Sequence, residues 1–280
     1  MPQARTEDRS ELENIARRLR RNIVTSTTRA GSGHPSTSLS MVELVTVLYF
    51  GGVLRYDPNS PHDPDRDRFI LSKGHGAPGL YAVLAEAGYF PVRELDRLRK
   101  LGSMLEGHPN MRRVPGVEAS TGSLGQGLSI GIGQALAARL DNRDYRVYVM
   151  TGDGEVEQGQ VWEAAMYAGN HSVDNLTLIL DHNAFQQTDA VNKIQRLDPL
   201  TDKLDDFGWA AREIDGHDLD AVAGAFAWAR GVERKPQAIV ARTIKGKGVS
   251  LLEAHPEKWH GKPIPKDEEG KALEEIGAAS

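Results

Sequence analysis

Residues 145–183 decide the fold: YRVYVMTGDGEVEQGQVWEAAMYAGNHSVDNLTLILDHN. Tyr145–Met150 is an apolar run of strand length that stops at Gly152-Asp153-Gly154. Helical spacing follows over 157–168, and a second apolar run, Leu176–Leu180, ends in Asp181-His182-Asn183. A strand–helix–strand unit of this length joins parallel neighbours, so Asn183 is expected beside Asp153 at one sheet edge. Ligands bind at the carboxyl ends of such strands, where glycines admit a diphosphate and a helix N-terminus favours anions. Asp153 would repel a diphosphate unless a cation intervened. A hard divalent ion such as Mg²⁺ takes carboxylate, carbonyl and phosphate oxygens together. Asp153, the Asn183 side chain and the Phe185 carbonyl are therefore the candidate metal ligands. The plainer reading of the same residues is an Asp/Gly turn followed by an Asn turn.

The alternation continues downstream with a short helix near 200–206, strand Trp209–Ile214, helix 218–233 and strand Ala238–Arg242. Upstream lie strand Phe69–Leu71 and helical patterns at 10–30, Met41–Phe50, 77–87, 91–101 and 124–140. This order predicts an α/β fold, a mainly parallel sheet with helices on both faces. Residues 1–9 are expected to be flexible, 10–262 to form one domain, and 263–280 to be a charged, loosely held tail. Residues 102–121 show no period and are expected to be a long functional loop. Gly125, Gly127, Gly131 and Gly133 sit in one helical pattern, and each interior glycine costs about 1 kcal/mol against Ala. Close approach by another backbone or a ligand would justify them.

Across 280 residues there are 34 Lys+Arg and 39 Asp+Glu, a net charge of −5, which argues against a nucleic-acid partner. Arg17, Arg18, Arg20 and Arg21 are interleaved with acids and are expected on a solvated helix face. No apolar run is long enough to span a bilayer, and the N-terminal residues lack the apolar core of a secretory signal. The absence of cysteine removes disulfides, thiolate metal sites and thiol nucleophiles. A cytoplasmic, membrane-free protein is the expectation.

Four histidines have glycine or proline neighbours: Gly33-His34-Pro35, Gly74-His75-Gly76, Gly107-His108-Pro109 and Trp259-His260-Gly261. Turn-forming neighbours free an imidazole to project into a cleft, where several donors would suit an oxygen-rich substrate. Any one of them alone is more simply a surface or turn histidine. His62, His171 and His217 are expected to be ordinary surface residues. No pair spaced for zinc on a helix exists. Other signatures fail as well. Gly125-Gln126-Gly127 lacks the third small residue of a dinucleotide fingerprint, and Ile244-Lys245-Gly246-Lys247-Gly248 lacks the flanks of a Walker A loop. There is no Gly-x-Ser-x-Gly elbow.

Taken together, the chain over about 10–262 resembles the amino-terminal, diphosphate-binding domain of transketolases, in particular the smaller subunit of split, two-chain forms. The resemblance rests on Ser32-Gly33-His34-Pro35, Leu71-Ser72-Lys73-Gly74-His75, Gly107-His108-Pro109, Ser120–Gly127, Gly152-Asp153-Gly154 with Asp181-His182-Asn183, and Thr243–Gly248. It implies thiamin diphosphate with Mg²⁺ or Ca²⁺, the metal held by Asp153, Asn183 and Phe185. Cofactor contacts are implied at His75, Gly122, Ser123, Leu124, Gly152, Asp153, Gly154, Asn183 and His260. Catalytic roles are implied for His34, His75, His108 and His260. His34 and His260 would lie near the acceptor oxygen, and His108 with Gly122 near the donor's hydroxymethyl group. Imidazole donors would stabilise an oxyanion and shuttle protons. The implied reaction transfers a two-carbon ketol unit from a ketose to an aldose, with sugar or sugar-phosphate substrates.

The implied partner is a separate C-terminal subunit, in an α2β2 assembly, whose pyrimidine-binding domain supplies the Glu that activates the cofactor. A specialised ketol or glycolyl transferase acting on an unusual sugar or carrier-bound acceptor is the near alternative. A non-catalytic regulatory remnant is the distant one. The chain departs from the family at Gln158, where a Glu is usual, with Glu157 one residue earlier.

Overall fold

The computed structural model describes residue 6 and residues 8–278. Five strands form one parallel sheet: β1 (Arg68–Leu71), β2 (Val147–Gly152), β3 (Leu176–His182), β4 (Ala210–Asp215) and β5 (Gln237–Arg242). Their spatial order is β1-β2-β3-β5-β4. The helices are α1 (Arg9–Ala30), α2 (Pro35–Ser40), α3 (Val42–Phe50), α4 (Ala77–Glu86), α5 (Gln126–Leu140) and α6 (Asp153–Val156). After them come α7 (Gly159–Asn170), α8 (Val191–Ile194), α9 (Leu200–Asp206), α10 (Leu219–Gly231), α11 (Ser250–Glu253) and α12 (Glu269–Ala278).

Strand periodicity divides the core. Tyr148, Met150, Ile179 and Ile239 point to the side covered by α1, α3, α4 and α10, whereas Val147, Val149, Leu178 and Val240 face α5, α7 and α9. A central parallel strand buried on both faces reads as a near-continuous apolar run, as β2 and β3 do apart from Thr177. β4 lies at the edge and exposes Arg212, Glu213 and Asp215 to solvent. Register aligns the functional strand ends: Gly152 pairs with Asp181, and Asp181 with Ala241. The segments after β1, β2, β3 and β5 thus converge on one edge.

Several local expectations need correction. The pattern at 91–101 is a 3-10 turn, Val92–Arg97, not a longer helix. Arg99 turns left-handed there (φ 58°), and its guanidinium donates to Ser32 Oγ (2.8 Å) and the Gly107 carbonyl (3.3 Å). The helix expected at 157–168 is split, with extended backbone at Gln158 (ψ 127°) between α6 and α7. α2, opened by Pro35, is an additional short helix outside the expected set. The segment after Pro263 is not loosely held: Ile264, Ala272 and Ile276 are buried, and α12 packs on α1. Its apolar positions are few but spaced one turn apart, which suffices for a packed stripe. The flexible segment expected over 1–9 falls largely outside the described residues, and Arg9 already begins α1, capped by the Asp8 side chain.

The glycines of α5 have distinct reasons. Gly125 precedes the helix in a left-handed conformation (φ 85°). A Cβ on Gly127 would meet Ser72 at 2.4 Å, and one on Gly131 would meet Val149 at 2.4 Å. Gly133 faces open space. Gly131→Ala is therefore expected to cost about 1–3 kcal/mol through overpacking. Gly133→Ala should be neutral or stabilise by about 0.5–1 kcal/mol. Urea unfolding of the two variants checks the contrast; equal effects would contradict it.

Candidate active site

At the carboxyl edge of the sheet lies a cavity of about 490 Å³. Its walls include His34, His75, His108, His260, Gly122, Leu124, Gly152, Asp153, Gly154, Asn183 and Phe185. Ser123, from the same sequence-derived set, is exposed and does not line it.

Each histidine is presented by a turn with its own anchor. His34 caps α2 ahead of Pro35, and His75 sits in the 3-10 turn Gly74–Gly76 after β1. A Cβ on Gly74 would lie 2.7 Å from the Gly122 nitrogen, so this turn packs directly on the loop carrying Gly122. The loop at 102–121 is fixed by buried Leu105, Val114 and Val117. The Tyr81 hydroxyl lies within bonding distance of the Glu106 and His108 carbonyls (3.1 and 3.0 Å). His108 then stands at the rim, against Gly122, where a Cβ would come within 3.1 Å of its ring. The His260 segment is pinned by Ser36 Oγ donating to the Trp259 carbonyl (2.8 Å).

His34, His75 and His260 form a triangle of imidazoles with centroids 5.3–5.4 Å apart. Burial, together with Arg99, His108 and Lys245, pushes His34 down to about 4. Burial with Lys245, His34 and Lys73 brings His260 to about 3. Burial and Lys73 also hold His75 well below 6.5. All three are neutral at pH 7. Below 6.5 the unfolded chain gains protons that the folded chain refuses, so stability falls as pH drops from 6.5 toward 4. His34→Asn should flatten part of this fall, read from urea midpoints at several pH values; an unchanged slope would contradict it.

Two lysines that sequence reasoning did not assign complete the site. Lys245, buried, donates to His260 Nδ1 (2.9 Å) and reaches the Phe185 and Gln186 carbonyls at 3.4 and 3.2 Å. Burial brings its ammonium down to about 8. Lys73, wholly buried, pairs with Asp181 and donates to the Thr37 carbonyl (2.9 Å). Ser40 Oγ and Thr243 Oγ1 also donate to Asp181. Lys245 carried a signal in its glycine-flanked loop, but that loop matched no phosphate motif.

Asp153 and Asn183 do arrive side by side with the Phe185 backbone. Asp153 Oδ1 accepts from the Gly154 nitrogen (2.8 Å), Oδ2 accepts from the Ala184 nitrogen, and Asn183 Oδ1 accepts from the Phe185 nitrogen (3.2 Å). Burial and the neighbouring Asp181 push the Asp153 carboxyl up to about 7. Glu155, also buried, accepts from Ser72 Oγ and from the Gly125 and Gly152 nitrogens, tying three segments together. Glu157 and Gln158 both line the cavity. Glu157 accepts from Gln186 Nε2 (2.8 Å), whereas Gln158 is exposed ahead of α7.

His62 and His171 are exposed as expected, but His217 is not an ordinary surface residue. Its Nδ1 lies 2.9 Å from Glu43 Oε2, and its Nε2 accepts from the Ile244 nitrogen (2.8 Å). The Asp215–Asp218 turn folds it inward against α3.

The family model described as "Transketolase, thiamine diphosphate binding domain" matches residues 10–279, and the chain belongs to the transketolase family. It is 44% identical over 266 residues to the transketolase of Rattus norvegicus, covering 95% of this chain but 42% of that protein. It thus spans about two fifths of that relative's length. It is 43% identical over 248 residues to the 6-deoxy-6-sulfo-D-fructose transketolase subunit SqwG of Clostridium sp. (strain MSTE9), covering 89% of this chain and 90% of that subunit. The crystal structure of Campylobacter jejuni transketolase superposes with a TM-score of 0.90 at 31% identity, over 96% of this chain and 43% of that one. Among the described residues no helix is long and apolar enough to cross a membrane.

Proposed function

We propose that the cavity binds thiamin diphosphate with a divalent cation, and that the chain, with a partner subunit, transfers a two-carbon ketol unit from a ketose to an aldose. The observation that carries this reading is the convergence of three neutral imidazoles, buried Lys245 and the Asp153–Asn183–Phe185 oxygens in one cavity.

The residues fit such a ligand. His34 Nδ1 is buried without a hydrogen-bond partner. Asp153 is a carboxyl that burial and Asp181 push up, and a cation beside it would relieve both. No group of three or more His, Cys, Asp or Glu poised for a metal occurs among the described residues. A cation here would rest on the Asp153 carboxylate, neutral oxygens and the ligand's own phosphates, a set of hard oxygens that suits Mg²⁺. Asp153, the Asn183 side chain and the Phe185 carbonyl would hold the ion. Lys245, His75, Gly154 and His260 would face the diphosphate, with Gly122, Leu124 and Gly152 completing the contacts.

When bound, thiamin diphosphate supplies a nucleophilic carbon able to accept the two-carbon unit. The imidazoles would serve the sugar oxygens, and the Glu that activates the cofactor would come from the partner subunit. His260 takes the Lys245 proton donor at Nδ1, which leaves its Nε2–H as the donating edge. His34, neutral and adjacent, could donate to or receive a proton from a sugar oxygen, and His108, at the rim, would face the donor's end. These positions match electrostatic stabilisation of a developing oxyanion.

A partner subunit is supported by the whole-length similarity to a relative named a subunit. The same relative's name favours a second reading, in which the donor is a modified ketose such as a sulfonated one. The test is a ketol-transfer assay with the 280-residue chain alone and mixed with a subunit carrying a pyrimidine-binding domain, using plain, phosphorylated and sulfonated ketoses. Turnover is expected only in the mixture, and the preferred donor decides between the readings. Turnover by the chain alone would overturn the split arrangement.

A further inference from the structure

Behind the loop that delivers Lys245 lies a buried charged network that no step above requires. Arg20 of α1, only 8% exposed, donates through Nη2 to Glu43 Oε1 of α3 (2.5 Å) and through Nε to the Lys247 carbonyl (3.2 Å). Glu43 also meets His217 through its other oxygen (2.9 Å), and His217 Nε2 accepts the Ile244 N–H (2.8 Å). One carboxylate therefore anchors both ends of the turn 244–247. Burial opposes ionisation of Glu43, but Arg20 and His217 hold its carboxyl below the ordinary value, so it is a carboxylate. Because Nε2 accepts, His217 carries its proton on Nδ1, facing Glu43.

We propose that Arg20, Glu43 and His217 are positioning residues that fix the loop 244–248 and thereby aim Lys245 into the cavity. The loop needs such a clamp. Gly246 and Gly248 are both left-handed (φ 85° and 90°), so the backbone has no intrinsic preference for this path. Gly246 donates to the Ser36 carbonyl (2.9 Å), two residues after His34, which ties the loop to a second wall of the cavity. Gly248 lies under the Arg20 side chain, where a Cβ would come within 3.1 Å of its Cδ and Nε. From this turn the Lys245 side chain reaches His260 Nδ1. That Lys245 serves a bound diphosphate rests on the function proposed above; the dependence of the loop on the network does not.

The test compares His217→Phe, which keeps a ring but neither hydrogen bond, with His217→Gln, whose amide can donate to Glu43 and accept from Ile244. The network lines a cavity of about 420 Å³, which gives a larger ring room. By hydrogen exchange, the Ile244 and Gly246 amides should exchange about tenfold faster in His217→Phe, as loss of one anchoring hydrogen bond implies. β5 amides should be unchanged, and His217→Gln should restore protection. Unchanged exchange at 244–248, or an equal rise across β5, would overturn the proposal. A second arm measures calorimetric affinity for thiamin diphosphate with Mg²⁺ in the chain mixed with its partner subunit. His217→Phe should weaken it in the wild-type background and add nothing in a Lys245→Met background. Additive losses would overturn action through Lys245. A wild-type chain with no affinity for thiamin diphosphate even when mixed with the partner subunit would overturn the proposed function while leaving the exchange result to stand or fall alone.

Discussion

Lys73→Met is expected to lower the stability of the chain by about 3–5 kcal/mol, the cost of leaving a buried charge uncompensated. Lys73 and Asp181 are both wholly buried. Burial alone would raise the Asp181 carboxyl, but Lys73 and the Ser40 and Thr243 hydroxyls keep it below its ordinary value. Without the ammonium, Asp181 must stay ionised unpaired or take up a proton. Stability should then fall more steeply at neutral than at acid pH, because protonation relieves the penalty. The double variant Lys73→Met/Asp181→Leu should recover part of the loss. Urea unfolding at pH 5 and pH 7.5 reads all of this, and a Lys73→Met variant as stable as wild type at pH 7.5 would contradict it.

Asp153→Ala is expected to abolish metal-dependent binding of thiamin diphosphate, a loss of at least about 100-fold, since even supporting residues around a metal ligand are worth 10–100-fold. Asp153 contributes the only carboxylate of the proposed ion site, and without it the diphosphate would face neutral oxygens alone. Asp153→Asn serves as the control for folding, because its amide oxygen can still accept from the Ala184 nitrogen. Both variants should lose binding in calorimetry with Mg²⁺ on the complex assembled with the partner subunit, while Asp153→Asn should unfold at a urea concentration no lower than wild type. Wild-type affinity in either variant would contradict the assignment of the ion to this residue.

The parallel sheet is legible because β2 and β3 are, apart from Thr177, apolar runs whose ends carry Gly152-Asp153 and Asp181–Asn183. Strand ends in such a sheet meet at one edge, so spacing alone brought Asp153 to Asn183. The histidines were legible through their glycine and proline neighbours, which are local. What escaped the sequence is what depends on distant partners. Lys73 looks like any turn lysine until Asp181, far along the chain, buries beside it. His217 looks like a surface turn until Glu43 on α3 and the Ile244 amide close on it. α12 is hidden in the sequence because a charged composition masks two apolar positions one turn apart, and the stripe has meaning only against α1. Glu155, ahead of the break before α7, accepts from the Gly152 and Gly125 amides, a contact that only the fold brings about.

A crystal structure of the chain grown with thiamin diphosphate and Mg²⁺ tests the central claim most directly. The account predicts the ion on Asp153, Asn183 and the Phe185 carbonyl, with the diphosphate against Lys245 and the His75–His260 edge. A cofactor bound outside this cavity, or an ion held by other residues, would contradict it.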